Sequence, residues 1–290
     1  MSLIGVTRNP YERTVPERIL AAAAERGLAV RLIDLPTVRT EVSAAGTIAV
    51  FDQSGPITGI TGLTPFLLYG FPAAVHGYRI LTQTARSQNT VDGVLRADDK
   101  ATTALLLASA GVPQVPTEVV PQSLDEVTAA AKRIGYPVVV KRTHGAQGRW
   151  VRRATDPETL ATALAELAVE GPGAIVVQPE VVESRGRSIR ALVTGGRLLV
   201  ATERVAPPSE WKSNVSRGAR QRRTDLTEAE RSLVHRAAEA LELRHAGVDL
   251  LRTNAGPVVL EVNACPAFTS MQPYCEVDIA AEVLRIAASD

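Results

Sequence analysis

Asp249, Glu261 and Asn263 are the residues whose types and spacing point most directly to chemistry. Asp249 lies in Gly-Val-Asp-Leu-Leu, and Glu261 and Asn263 lie in Leu-Glu-Val-Asn; both runs are apolar and β-branched. They read as strands over 247–251 and 258–262 joined by a turn at 254–256. Glu261 and Asn263 are two residues apart and so face one side of their strand, where Asp249 on the preceding strand can meet them. Two carboxylates and an amide oxygen are hard donors suited to Mg²⁺ held against phosphates. Any one of them alone reads as a solvated polar residue. Three converging among apolar strands would be costly to bury without a partner.

A second candidate is Lys141, which ends the run Pro-Val-Val-Val-Lys and precedes a turn carrying Gly145, Gln147 and Gly148. An ammonium at a strand end beside a glycine-containing turn can surround phosphates together with backbone N–H groups. The order of a P-loop, Gly-x4-Gly-Lys-Ser/Thr, is absent. A third set is Arg204, Lys212, Asn214, Arg217 and Gly218, whose cations and amide could grip a transferring phosphoryl group. By composition alone, a solvated basic loop accounts for this set better.

The elements that must position these residues follow from periodicity and punctuation. Residues 3–6 and 29–33 read as strands around an Ala-rich helix at 16–26, a βαβ opening that suggests a small parallel sheet. Residues 47–51 read as a buried strand, and 55–77 are too rich in Gly, Pro and Thr to assign. A helix is predicted over 98–111, capped by Asp98 and ended by Gly111 and Pro113. A strand at 117–120 precedes a helix opened by Ser123, with Glu126 at the capping-box position, and closed by Gly135. Then come a strand at 137–141, a helix at 156–169 and a strand at 174–178. Residues 188–193 and 198–201 around Thr194-Gly-Gly-Arg197 make the clearest hairpin. Helices at 227–241 and 277–287 complete the chain. No internal repeat or low-complexity tract is evident.

Bulk composition narrows the function classes. The 290 residues carry a net charge of +1, which gives no global electrostatic case for nucleic acid or a membrane surface. Aromatics at 4% argue against a base-stacking surface. Cys265 and Cys275 are the only cysteines and lack metal-ligand spacing, which fits a reducing cytoplasm. Arg8, Glu12 and Arg13 interrupt the amino terminus too early for a secretory signal. No run approaches the roughly 20 apolar residues of a membrane helix. The first strand is not followed by Gly-x-Gly-x-x-Gly, so an NAD-type reading lacks its fingerprint.

From about Ala97 to the carboxyl terminus the ordered set of motifs resembles the ATP-grasp superfamily. It is most similar to the RimK-type glutamate ligases and to the LysX-type ligases, which load amino acids onto an acidic carrier protein. The resemblance runs through Asp99-Lys100-Ala-Thr, Ala110-Gly-Val-Pro113, Tyr136-Pro-Val-Val-Val-Lys141, the turn from Gly145 to Gly148, and Gln178. It continues through Gly186-Arg-Ser-Ile-Arg190, Glu203-Arg204, Trp211-Lys-Ser-Asn214, Arg217-Gly218, Ala246-Gly-Val-Asp249 and Leu260-Glu-Val-Asn263. The amino-terminal third is similar only as a generic βαβ unit. The resemblance implies an α/β and α+β chain: a pre-grasp domain at 1–96, a central ATP-grasp subdomain at 97–175, and a carboxy-terminal subdomain at 176–290 bearing the magnesium site.

Position by position, the resemblance implies that Lys100 and Lys141 contact ATP phosphates, with Gly145, Gln147, Gly148, Gln178 and Ser188 also on the nucleotide. The backbone at Glu180 and Val181 would be the adenine hinge. Arg204, Asn214 and Lys212 would meet the transferred phosphate. Asp249, Glu261 and Asn263 would hold magnesium, with manganese as a substitute. The implied reaction joins a carboxylate to an amine through an acyl phosphate. Arg190, Arg217, Arg220, Arg222 and Arg223 are candidates for the substrate side. The last four form a basic run that could dock an acidic carrier protein or a glutamate-ended peptide; a solvated loop ahead of the helix is the competing reading. A free amino acid or another small carboxylate or amine is the competing substrate, and a non-catalytic nucleotide-binding protein is the competing function. The resemblance also suggests a homodimer or tetramer.

Three departures stand out. Ser188 occupies a position where these relatives usually carry Asp, and Pro179 replaces a more usual Glu in the hinge. Ala-Cys-Pro-Ala-Phe after Asn263 matches neither group. The final helix leans towards the LysX type.

Overall fold

The β-branched and aliphatic residues at the amino terminus begin a parallel sheet. In the computed structural model, which describes residues 2–8, 14–66, 72–145, 148–169, 171–208, 210–215 and 218–289, β1 (Leu3–Arg8), α1 (Thr14–Glu25) and β2 (Val30–Asp34) form the expected βαβ unit. The chain then makes a small antiparallel sheet of β3 (Arg39–Val42), β4 (Ile48–Asp52) and β5 (Gly55–Pro56). The expectation of a buried strand at 47–51 is corrected here: Ile48 and Ala49 of β4 are exposed, because this sheet lies outside the parallel layer.

β6 (Ile60–Leu63) returns to pair with β1. The stretch that resisted assignment goes on through α2 (Pro72–Leu81), the two-residue β7 (Arg86–Ser87) and α3 (Val91–Asp98). The first sheet therefore has the order β2-β1-β6-β7, all parallel.

At the next helix, α4 (Lys100–Ser109), the cap is Asp99, whose carboxylate accepts from the Ala101 N–H at 3.1 Å. The predicted cap, Asp98, instead ends α3. Two adjacent aspartates offer the same local signal, and α3 decides between them by taking Asp98 into its last turn. Beyond lie β8 (Glu118–Pro121), α5 (Leu124–Ile134), β9 (Val138–Arg142), β10 (Val151–Ala154), α6 (Pro157–Ala168) and β11 (Ala174–Pro179). The Ser123 cap and the Gly135 stop match expectation, and Asp156, the first residue of the helix expected at 156–169, caps α6. These strands form an antiparallel sheet of order β10-β9-β11-β8, with α5 and α6 packed on it.

The last sheet uses β12 (Arg187–Thr194), β13 (Arg197–Val205), β14 (Arg220–Arg223), β15 (Ala246–Thr253) and β16 (Gly256–Asn263), in the order β14-β13-β12-β15-β16. The hairpin at Gly195 and Gly196 forms as predicted, both glycines having positive φ. α7 (Glu228–Ala240) covers one face of the sheet, and α8 (Ile279–Ala288) packs between α1 and the first sheet. One apolar cluster reaches from Ile33 through Leu107 to Ala264, so the first and last sheets share a core.

Asn89 ties these layers together at the end of the metal-candidate strand. Its side chain donates to the carbonyls of His245 (2.7 Å) and Ala264 (3.0 Å) and accepts from the N–H groups of Arg244 (3.0 Å) and His245 (2.9 Å). It is fully buried. Asn89→Leu is expected to leave several buried backbone groups unpaired and to cost on the order of 3–5 kcal/mol in urea unfolding.

Candidate active site

Strand alternation and register assemble the site on one face of the last sheet. Arg204 stands opposite Ser188, Arg190 opposite Asp249, and Asp249 opposite Glu261. Directly opposed residues of antiparallel strands share a face, so these five side chains converge. Arg190 grips both oxygens of Asp249, with Nη2 to Oδ2 at 2.5 Å, and Arg204 Nη1 lies 3.8 Å from Oδ1. Asn263 pairs with Gly247, one step along the same face, and its Nδ2 is buried without a partner.

The donors fit a hard divalent cation. Among the described residues no three His, Cys, Asp or Glu side chains cluster as a metal cage. The available set is two carboxylates and one amide, which suits a cation whose remaining ligands are phosphate oxygens and water.

The sheet of β8 to β11 supplies the facing wall. Lys141 Nζ donates to Gln178 Oε1 at 2.6 Å, and Gln178 Nε2 donates to Thr117 at 2.9 Å. Burial pulls the Lys141 ammonium down to about 8, with Glu261 pulling the other way and Lys100 adding to the depression. Lys100 Nζ donates to the Gly145 carbonyl at 2.8 Å and lies 3.9 Å from Glu261. Lys212 Nζ reaches the carbonyls of Gly148 (3.0 Å) and Val151 (2.7 Å) from the other side of the turn. Gly148 has φ +67°, and a Cβ there would sit 3.0 Å from Asn214 Oδ1, so glycine lets Asn214 close on the turn. Gln147 and Arg217 lie outside the described residues.

If Lys141 contacts nucleotide phosphates, as the resemblance implies, its depressed ammonium makes nucleotide affinity pH-dependent. Below about pH 8 the ammonium is charged with or without ligand, so no proton linkage is expected. Above it the free protein has lost this proton while bound phosphates favour its return. Affinity for ADP is therefore expected to fall as pH rises from 8 towards 10, by up to about tenfold per unit. Calorimetry at pH 9 in buffers of different ionisation enthalpy should register proton uptake, which Lys141→Met removes.

Glu180 and Val181 line the same cleft, together with the apolar Val139, Leu251 and Leu260. The Glu180 carboxylate is not offered to a ligand. Burial raises it, but Arg185 (2.7 and 2.8 Å) and Arg153 (2.8 Å) outweigh burial and hold it below the usual range. Its backbone N–H already donates to the Pro137 carbonyl at 2.9 Å. Ser188 hydrogen-bonds Ser213 at 2.6 Å.

Asp98 was not foreseen near the site. Burial lifts its carboxyl to about 7, with Lys100 opposing, and its Oδ1 is unpaired. The doubled aspartate before Lys100 was the available signal.

The basic run is not a loop. Arg220 to Arg223 form β14, whose alternation puts Arg220 and Arg222 on the face opposite Gln221 and Arg223. Arg222 binds Glu203, which Arg187 also engages, while Arg223 binds Glu276 at 2.8 Å. The Tyr274 hydroxyl donates to the Gln221 carbonyl at 2.8 Å. Arg220, Arg222 and Arg223 do not line the cleft, and neither do Arg190 and Asn263.

Known proteins show the same architecture. A RimK-like ATP-grasp domain matches residues 97–287. A probable alpha-L-glutamate ligase of Xanthomonas oryzae pv. oryzae is 32% identical over 276 residues, covering 92% of this chain and 91% of the relative. That span includes most of the amino-terminal third, which by motifs alone was only a generic βαβ unit. The RimK domain ATP-grasp protein of Sphaerobacter thermophilus is 19% identical, with a TM-score of 0.74 over 99% of this chain and all of that one. The ATP-grasp ligase PsnB, solved with a minimal precursor, is 17% identical with a TM-score of 0.72, covering 99% and 98% of the two chains. At such identities the two solved structures establish the fold, whereas the domain match and the 32%-identical relative place the chain in the RimK-like ATP-grasp family, as an ATP-grasp ligase.

Proposed function

We propose that this protein is an ADP-forming glutamate ligase, which joins glutamate to a second substrate through an amide bond by way of an acyl phosphate. The observation that carries the reading is the cation-rich cleft around Asp249. Lys100, Lys141, Arg204 and Lys212 line it together with the carboxylates Asp249 and Glu261, a set suited to hold the phosphates of ATP and a substrate carboxylate side by side. The glutamate assignment is supported by the name of the Xanthomonas relative.

Within this reading Lys100 and Lys141 hold the phosphates, and the apolar end beside Glu180 and Val181 takes the adenine. Because the Glu180 N–H is already bonded, hinge contacts fall to the neighbouring backbone. Ser188, where the family usually has Asp, would offer the ribose a hydroxyl held by Ser213 in place of a carboxylate. A carboxylate is a poor acyl donor, because its leaving group would be oxide. Attack of one carboxylate oxygen on the γ-phosphorus expels ADP and installs phosphate as the leaving group. The amine nitrogen then attacks the acyl carbon, loses a proton, and the C–O bond to phosphate breaks. Arg204, Asn214 and Lys212 are placed to stabilise the transferring phosphoryl group and the tetrahedral oxyanion. Burial lowers Arg204 to about 10, still leaving it charged at neutral pH. Asp249, Glu261 and Asn263 would hold magnesium, whose contribution is to neutralise phosphate charge.

A peptide or carrier substrate remains part of the proposal, but the basic run no longer argues for it as a block, since Arg222 and Arg223 are already paired. The test is ADP release from Mg-ATP with glutamate against a panel of amino acids, amines and glutamate-ended peptides, with mass spectrometry of products. ADP dependent on one pair, with a product one water lighter than the sum, supports the reading. Tight ATP binding with no ADP from any pair would favour a nucleotide-binding protein without catalysis.

A further inference from the structure

Gly247 shows how Arg190 is seated. Its φ lies outside the left-handed region, so backbone conformation does not demand glycine there. Space does. A Cβ at Gly247 would lie 2.9 Å from Arg190 Nη1, 3.0 Å from Arg190 Cδ and 3.0 Å from Pro266 Cβ. The arginine stem is thus laid flat across β15 in a notch floored by Gly247 and walled by Pro266. Two residues further along the same face its fork meets Asp249. Both partners of this pair are buried, with side chains 11% and 8% exposed, so solvent screens the interaction little.

A bidentate guanidinium uses an oxygen lone pair on each side of the carboxylate and brings its own positive charge. Arg204 adds another, 3.8 Å from Oδ1. A divalent cation approaching Asp249 must share those oxygens and face both arginines at low dielectric. We propose that Arg190, seated in the Gly247 notch, is a positioning residue that holds Asp249 as its counter-ion and makes cation capture there conditional on a bound polyphosphate. The phosphates supply the negative charge that offsets the arginines, so the metal enters with the nucleotide and not before it. This inference rests on the reading of Asp249 as a metal ligand.

Arg190→Gln and Gly247→Ala test it, with Mn²⁺ as the probe, followed by electron paramagnetic resonance with and without ADP. The wild-type protein is expected to take Mn²⁺ weakly alone and tightly with ADP. Arg190→Gln is expected to bind Mn²⁺ alone at least about tenfold more tightly, because the competing charge is gone. Gly247→Ala, which crowds the Arg190 stem and Pro266 while keeping the guanidinium, is expected to shift affinity the same way by a smaller factor, and it keeps the test alive if Arg190→Gln folds poorly. Thermal unfolding gives a second readout. Arg190→Gln leaves a buried carboxylate without its counter-ion, so it should melt below wild type in chelator and regain part of the loss with Mn²⁺. A merely structural arginine would lower stability without raising metal affinity. If both variants bind Mn²⁺ alone no better than wild type while wild type keeps Mn²⁺–ADP binding, the Arg190 proposal is overturned and the metal reading stands. If wild type takes no Mn²⁺ even with ADP, both are overturned.

Discussion

Replacing Glu261 with alanine is expected to lower magnesium-dependent ADP release by about 10³-fold or more, the loss of several kcal/mol of phosphate-charge stabilisation. Circular dichroism should be unchanged, because Glu261 is a half-buried side chain at a strand end, with Lys100 as its ion-pair contact at 3.9 Å. A second effect distinguishes this substitution from a general loss of fit. Glu261 is the main charge opposing the depression of Lys141, so its removal should carry the ammonium below about 8. At pH 6.5 the mutant should still bind ADP through a charged Lys141, whereas at pH 8 its affinity should fall more steeply than that of wild type. A Glu261→Ala enzyme with normal magnesium-dependent turnover would refute the metal assignment outright.

Arg204→Gln is the second large effect. The side chain is buried, and turning the Gln221 amide so that its oxygen faces Arg204 satisfies both ends, accepting from Nε at 3.2 Å and donating to the Ser270 carbonyl at 2.8 Å. That fixes the guanidinium before any substrate arrives, the condition under which an electrostatic stabiliser is most effective. Turnover is expected to drop about 10²–10³-fold with KM for ATP little changed, since the group acts on charge that develops in the transition state. Arg204→Lys keeps the charge but not the fork and should recover only part of the rate. Equal losses in turnover and ATP affinity would instead make Arg204 a ground-state nucleotide contact.

What was legible in sequence is whatever depends on spacing within one element. The two-residue interval between Glu261 and Asn263, the valine run into Lys141, and the Gly-Gly turn at 195 and 196 predict face, strand and hairpin, because a strand alternates sides every residue. The ordered motifs from Asp99 to Asn263 also carried the family, and the match over 97–287 agrees. The misreadings share one physical cause. Asp98 and Asp99 are equivalent caps until α3 is known to end on the first. Residues 220–223 are a basic run on paper and a two-faced edge strand in the fold, with Glu203 and Glu276 pairing two of the charges at the surface.

Long-range contacts decided the rest. Which cation meets Asp249 depends on β12 lying beside β15, 59 residues along the chain from Arg190 to its partner. The depression of Lys141 depends on its burial beneath a different sheet, which outweighs the opposing pull of the Glu261 carboxylate that the same packing brings near. Local sequence sets which way a side chain points, through propensity and periodicity. It does not set what that side chain points at, because strand order and sheet packing are selected by burial summed over the whole chain. The candidate ligands were therefore nameable from the sequence, whereas the guanidinium that holds Asp249 and the notch at Gly247 that seats it came only from the tertiary structure.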